Sequence, residues 1–288
     1  MRHQFALRIG PVDCRIGSDW AAPIAQIRQL YAAYPQDGAR PATATVRLTA
    51  RNPLRRFIRP AVHIGGDHEL PEALPLPLDQ ALLAAEMGMN LQVALGWRQH
   101  LLLHASAVER DGCAILMVGV SGSGKSTLAA LLGESGWRFM GDEFTFLDPA
   151  NGDALAFPRL VSLKNQAIAE LEARVPASRF GPRLDGTPKG SIRHMVPPVG
   201  AIAAMDVPAR PALLLFPTFG EAPSLRAMPP SEAFVRLTES STNYGLLGER
   251  GFRCLTDLVL NVPAVAVGYA SSAQGFEAVD MLVNEAGL

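Results

Sequence analysis

Lysine is almost absent from this sequence: of its 26 basic residues three are lysines, Lys125, Lys164 and Lys189. A compact ammonium and a planar guanidinium are not interchangeable at a tight anion site, so the lysines that remain draw notice. Cysteine is equally sparse. Cys14, Cys113 and Cys254 lie far apart and fit no metal or redox spacing, which excludes a zinc ribbon or a dithiol motif; Cys113, in an apolar run, reads as a small core residue. Charge is low as well, at 18% of residues with a formal net charge of -1. No global basic field draws the chain to nucleic acid or an anionic membrane, and "RNPLRRFIRP" reads as a solvated or strand-edge charge run, with a local anion patch as the alternative. The most apolar helical stretch, "ALLAAEMGMNLQVALGW", is broken by Glu86 and Asn90, which argues against a membrane span; the two share a helical face by their i,i+4 spacing. The start "MRHQFALRIG" lacks the basic-then-apolar pattern of a secretory leader. The expectation is a cytoplasmic chain with no nucleic-acid partner.

What is present supports folding. With 48% hydrophobic residues over 288 positions, the chain can build a core and two modest domains. Residues 1–99 read as a small α+β domain: two strands about a Gly-Pro turn in "FALRIGPVDCRIGSD", a helix in "APIAQIRQLYAAY", strands in "TATVRLTA" and "PAVHIGG", the proline-rich "LPEALPLP", and a helix over "LDQALLAAEMGMNLQVALGW". Residues 100–288 read as a second, mixed α/β domain. "LLLHASAV" and "CAILMVGV" are buried strands across an "ERDG" turn, "KSTLAALLGES" is helical, and "RFMGDEFTFLD" has strand character on both sides of an acidic pair. "LKNQAIAELEA" reads as a helix with Lys164 at its start, and "VPASRFGPRLDGTPKGSIRHMVPPVG" as an irregular loop. "AIAAMDV", "ALLLFP" and "SLRAM" read as strands. Two helices, the strand "AVAVGY" and a last helix follow. Strict βαβ alternation is missing, so no regular doubly wound sheet is expected.

Residues Gly119 to Ser126 fit G-x-x-x-x-G-K-[ST] in full and lie between a predicted strand and a predicted helix, the context a P-loop requires. Glycines let consecutive amides turn toward a phosphate, and the helix adds its positive end. The nucleotide-binding set is Gly119, Val120, Ser121, Gly122, Ser123, Gly124, Lys125, Ser126 and Thr127. Lys125 can reach the β- and γ-phosphates, and the Ser126 hydroxyl can hold Mg²⁺. ATP and Mg²⁺ are the expected cofactors.

Asp142 follows only seventeen residues behind Lys125, with Glu143 next to it. A helix of about eleven residues rises roughly 16 Å, and a strand returning antiparallel or adjacent brings the pair back beside the loop. One carboxylate can support Mg²⁺ and the other accept the proton of an attacking hydroxyl. Gly141 permits a bulge that aims both inward. Lys164, Lys189 and Arg193 are candidates for contacting the phosphate in the transition state, and "DGTPKGSIRHM" has the composition of a lid.

The segment from "LLLHASAV" through "GVSGSGKSTLAALLGESGWRFMGDEF" resembles the catalytic core of bacterial HPr kinase/phosphorylase. With "EMGMN", "PRLVSLKN", "KGSIRHMVPP" and "STNYGLLGERGF", the chain looks most similar to the HPr-kinase-related kinase A group. The resemblance implies an HPr-kinase/phosphoenolpyruvate-carboxykinase-like kinase domain behind an accessory, substrate-recognising amino-terminal domain. It implies an ATP-dependent serine kinase acting on a protein or peptide, with Asp142 as general base, Glu143 supporting the metal and His104 as the active-site histidine. By its own surroundings His104 reads equally as a hydrogen-bonded core residue. HPr kinases form hexamers, so a homo-oligomer is also implied. The Glu-Ile-Arg-Gly string of HPr kinases is missing, which leaves open both HPr as acceptor and the reverse, phosphate-dependent reaction. Two alternatives remain: a nucleotide-dependent switch or assembly ATPase, and a small-molecule, carboxykinase-like kinase.

Overall fold

A computed structural model describes residues 2–69, 74–187 and 189–287; part of the proline-rich "LPEALPLP" and Pro188 lie outside them. The chain divides into two compact units, residues 1–97 and 98–288.

In the first unit, β1 (His3–Ile9) and β2 (Val12–Ser18) form a hairpin through Gly10, whose φ of 50° suits a residue without Cβ. With β3 (Ala44–Ala50), β4 (Ala61–Gly66) and β5 (Leu76–Pro77) they make a five-stranded sheet in chain order. The β2–β3 pairing is parallel, as the intervening helix α1 (Ala21–Leu30) requires. Helix α2 (Ala81–Gly96) lies so close to the sheet that a Cβ on Gly88 would stand 2.6 Å from Val46 Cγ1. Glu86 on this helix is buried and accepts a hydrogen bond from Tyr31 Oη at 2.8 Å.

The second unit begins with β6 (Leu101–Leu103), β7 (Ala105–Arg110) and β8 (Cys113–Val118), then helix α3 (Lys125–Glu134), β9 (Arg138–Gly141), β10 (Thr145–Leu147) and β11 (Ala154–Leu155). There follow β12 (Val161–Lys164), α4 (Gln166–Glu172), β13 (Phe180–Thr187), β14 (Gly190–Met195), α5 (Val199–Ala203), β15 (Arg210–Phe219) and β16 (Ser224–Met228). The chain closes with α6 (Pro230–Ser240), α7 (Tyr244–Leu247), α8 (Glu249–Asn261), β17 (Ala264–Tyr269) and α9 (Ser272–Ala286).

The central sheet is mixed, in the order β16-β17-β15-β8-β7-β9, with parallel pairing where β15 meets β8 and β17. Side-chain alternation gives it two apolar faces. Ile115, Met117, Leu213 and Leu215 share a core with α3 and α9, while Leu116, Val118, Leu214 and Phe216 pack with α6 and α8. A sheet covered by helices on both sides is the mixed α/β class expected.

Several local expectations are corrected. "LLLHASAV" is two strands rather than one: β6 pairs with β10 in a small separate sheet and β7 with β8, the chain turning at His104. Cys113 is half-buried at the edge of its hairpin. "AIAAMDV" contributes to the helix α5, entered from Pro198, and proline ahead of a first turn has no N–H to lose there. Lys164 ends strand β12 instead of opening a helix. The Gly/Pro-rich "loop" is the β13–β14 hairpin: Pro182 falls where the register shifts between Phe180 and Arg183, so its missing N–H breaks no ladder bond.

Candidate functional site

Chain direction places three segments at one edge of the central sheet. β9 pairs antiparallel with β7, and β7 pairs antiparallel with β8. β8 and β9 therefore run parallel with one strand between them, not adjacent or antiparallel as the short spacing suggests. Their carboxyl-terminal ends and the start of β7 meet at the same edge, and from these ends come the glycine-rich loop, the acidic pair and His104.

Gly122 (φ 88°) and Gly124 (φ 94°) turn the loop through the left-handed region. Gly124 has a second constraint: a Cβ there would lie 2.2 Å from Tyr269 Oη and 3.1 Å from Phe219 Cβ. Lys125, the first residue of α3, is buried and donates from Nζ to the carbonyls of Gly119 at 2.5 Å and Val120 at 2.9 Å. Burial lowers its pKa against the opposing pull of Glu143. Ser123 is buried in the same turn, its Oγ without a partner among the described residues.

The acids sit on a bend after β9. Met140 is an extra residue on that strand, since Ala107 pairs with Gly141 and Val108 with Phe139. The bulge thus falls one residue before the glycine expected to make it. Asp142 is 4% exposed. Its Oδ2 accepts the Ser162 N–H at 3.2 Å, and its backbone carbonyl accepts the Ser106 hydroxyl at 2.9 Å. Burial, reinforced by the like charge of Glu143, pushes its carboxyl up to about 6 against the pull of Arg159, Ser162 and Lys164. Glu143 is half-exposed, with Oε1 3.8 Å from His104 Nδ1. Burial lowers the His104 pKa more than Glu143 raises it, so the imidazole is neutral near pH 7.

Loop, acids and histidine line one cavity of about 730 Å³. Lys125, Lys164 and Lys189 line it too, so every lysine in the chain converges on one space. Ser121, Gly122, Gly124, Ser126 and Thr127 contribute the loop's share, while Gly119, Val120 and Ser123 shape the turn behind it. Arg193 is turned elsewhere: it bonds Glu172 at 2.5 Å and the Gly181 carbonyl at 2.9 Å, with its guanidinium over the Phe180 ring. Strand alternation on β14 explains this, because His194 and Ile192 are buried on one face and Arg193 projects from the other.

Sequence reasoning missed several residues. The Ser162 amide orients Asp142. Asn165, which the sequence offers in "PRLVSLKN" without a role, stands at a strained φ of 50° and exchanges hydrogen bonds with Ser191, tying the cavity wall to β14. Phe219 and Tyr269 arrive from the ends of β15 and β17. No motif marks them; strand order alone brings them to the loop.

No family model matches the chain, and no curated protein matches it. Among solved structures, the Hpr(Ser) kinase/phosphatase from Coxiella burnetii is similar at 13% identity, over 64% of this chain and 95% of that one, with a TM-score of 0.29. So loose an overlap leaves the chemistry to the residues themselves.

Proposed function

We propose that the chain is an ATP-dependent phosphotransferase that moves the γ-phosphoryl group to a serine hydroxyl of a protein or peptide. The observation that carries the reading is the convergence of the three lysines, the glycine-rich loop and the buried Asp142 on one cavity. Phosphoryl transfer asks a protein mostly for positioning and positive charge around the equatorial oxygens. Loop amides and Lys125 hold the β- and γ-phosphates, and Lys164 and Lys189 neutralise charge that develops during transfer. Asp142, with a carboxyl held near 6, is ionised at neutral pH yet basic enough to take the serine proton. His104, neutral beside Glu143, lends a polar ring to the acceptor end.

Among the described residues no group of three or more His, Cys, Asp or Glu could hold a metal on its own. The Ser126 hydroxyl and Glu143 carboxylate at the cavity still suit Mg²⁺, which keeps several waters and takes few protein ligands beside substrate phosphates. When bound there, Mg²⁺ would screen the β- and γ-phosphate charge. The first unit supplies none of these groups, and we assign it to acceptor recognition.

The test is labelled ATP with Mg²⁺ and cell lysate, followed by gel and small-metabolite separation. Label in a macromolecule, recovered as phosphoserine, supports the proposal. Label in metabolites alone indicates a small-molecule kinase, and partner-stimulated free phosphate alone indicates an ATPase. Asp142→Asn should lower transfer about 10²–10⁴-fold while ATP still binds. A transfer rate near the parent's would remove Asp142 from the base role.

A further inference from the structure

The three lysines, the acidic pair and His104 have uses in moving a phosphate, but Phe219 does not. Phe219 ends β15, lines the cavity and is 44% exposed. An aromatic ring left half in water beside an anion cradle has no partner in the phosphates themselves.

The ring is also firmly mounted. The Phe219 N–H donates to the Ser123 carbonyl at 3.2 Å, inside the glycine-rich loop, and the Gly220 N–H donates to the Tyr269 carbonyl at 2.8 Å. Phe219 meets the buried Tyr269 edge to face, with ring centroids 5.6 Å apart and planes at 68°, a favoured aromatic geometry. Tyr269 in turn abuts Gly124. Burial pushes the Tyr269 phenol up to about 12, so it stays neutral and acts as a support. The ring pair is therefore fixed to the same turn that would hold the phosphates.

It also stands apart from the acceptor end. β15 and β17, which end at Phe219 and Tyr269, lie on one side of β8, whereas β7 and β9, from whose ends His104 and the acidic pair come, lie on the other. A nucleoside triphosphate has this polarity: phosphates at one end, a flat aromatic base at the other.

We infer that Phe219 is the platform on which the base of the bound nucleotide stacks. The inference rests on the reading of the loop as a triphosphate site. Stacking is tolerant of base identity because every base has a π-face, so ATP and GTP should bind with similar affinity.

The experiment compares ATP and inorganic tripolyphosphate, each with Mg²⁺, by calorimetry on the full chain. Tripolyphosphate keeps the charge and lacks the base. Phe219→Ala should weaken ATP about tenfold or more, the scale of one lost base–aromatic stack, and leave tripolyphosphate within about twofold. Phe219→Trp should keep ATP affinity, and its added emission should be quenched by ATP and not by tripolyphosphate. ATP affinity unchanged in Phe219→Ala, or a Trp signal that responds equally to both ligands, overturns the platform while leaving the triphosphate site intact. A parent protein that binds neither ligand overturns both readings. Should Phe219→Ala misfold and lose both ligands, the Phe219→Trp emission decides the matter.

Discussion

Above about pH 6 the Asp142 carboxyl ionises inside the protein, and that ionisation opposes folding. An unperturbed aspartate titrates at 3.8, whereas burial and the neighbouring Glu143 hold this one at about 6 in the folded chain. Between those values the folded state keeps a proton that the unfolded state has released, so stability falls as pH rises through the window. At about 1.4 kcal/mol per pH unit, the loss is about 3 kcal/mol and is complete above about pH 7. Asparagine keeps an oxygen for the Ser162 N–H and never ionises. Asp142→Asn should therefore match the parent near pH 4 and exceed its stability by about 3 kcal/mol near pH 7.5.

The assay is urea unfolding of both nucleotide-free proteins across that range, read as the difference between them. A scan of the parent alone would mislead, because His194 titrates with the opposite sign. Its imidazole is buried and held at about 3, so its contribution is present above pH 6.5 and is lost as pH falls. A difference that stays flat with pH, or an asparagine variant less stable than the parent near pH 7.5, would refute the claim that the folded protein disfavours this carboxylate. It would also remove the reason for Asp142 to act as a base close to neutrality.

Gly124→Ala places a methyl group 2.2 Å from Tyr269 Oη at a φ of 94°; it should cost about 2–4 kcal/mol by thermal melting. Adding Tyr269→Phe, which removes the nearest clashing atom, should recover part of that loss, and no recovery would place the strain in the backbone alone. Lys189→Ala should lower single-turnover transfer about 10³-fold or more while nucleotide affinity stays within about threefold; an unaltered rate would take Lys189 out of the transition state. His194 is 1% exposed and neither ring nitrogen has a partner among the described residues. His194→Phe should thus move the acid-unfolding midpoint, followed by tryptophan emission, to lower pH, and an unmoved midpoint would show that the imidazole is not what acid attacks.

The glycine-rich loop was legible because its information is local: a strand, a turn that needs glycine at Gly122 and Gly124, and a helix, all within one short stretch. The scarcity of lysine was legible too, and it pointed to Lys164 and Lys189 without any knowledge of their surroundings. What stayed hidden depends on partners distant in sequence. Pro182 and the glycines of "GPRLDGTPKG" signal a loop, yet paired strands absorb them, with Gly186 and Gly190 at positive φ and the proline at a register shift. Once that stretch is a hairpin, alternation sends Arg193 away from the cavity to Glu172. "LLLHASAV" is apolar but for His104 and Ser106, and nothing in such a run tells a chain to leave one sheet for another at His104. Phe219 is equally silent in the sequence, because only the parallel pairing of β15 with β8 and β17 sets it against Gly124.

The close spacing of Lys125 and the acidic pair has a topological cause. The chain leaves β8, runs back along α3 and returns on β9, which lies beyond β7 rather than beside β8. That is a parallel crossover with one helix, close to the shortest return a parallel strand permits. Skipping one strand has a consequence a direct neighbour could not give: the start of β7 stands between the two ends and brings His104 beside Glu143. The extra residue at Met140 then ends the regular strand just before Asp142. A bend replaces the side-to-side alternation that would have sent Asp142 and Glu143 to opposite faces, and both line the same cavity. The pair is near in sequence because a single helix carries the chain back, and usable in space because the strand breaks its own pleat where the acids begin.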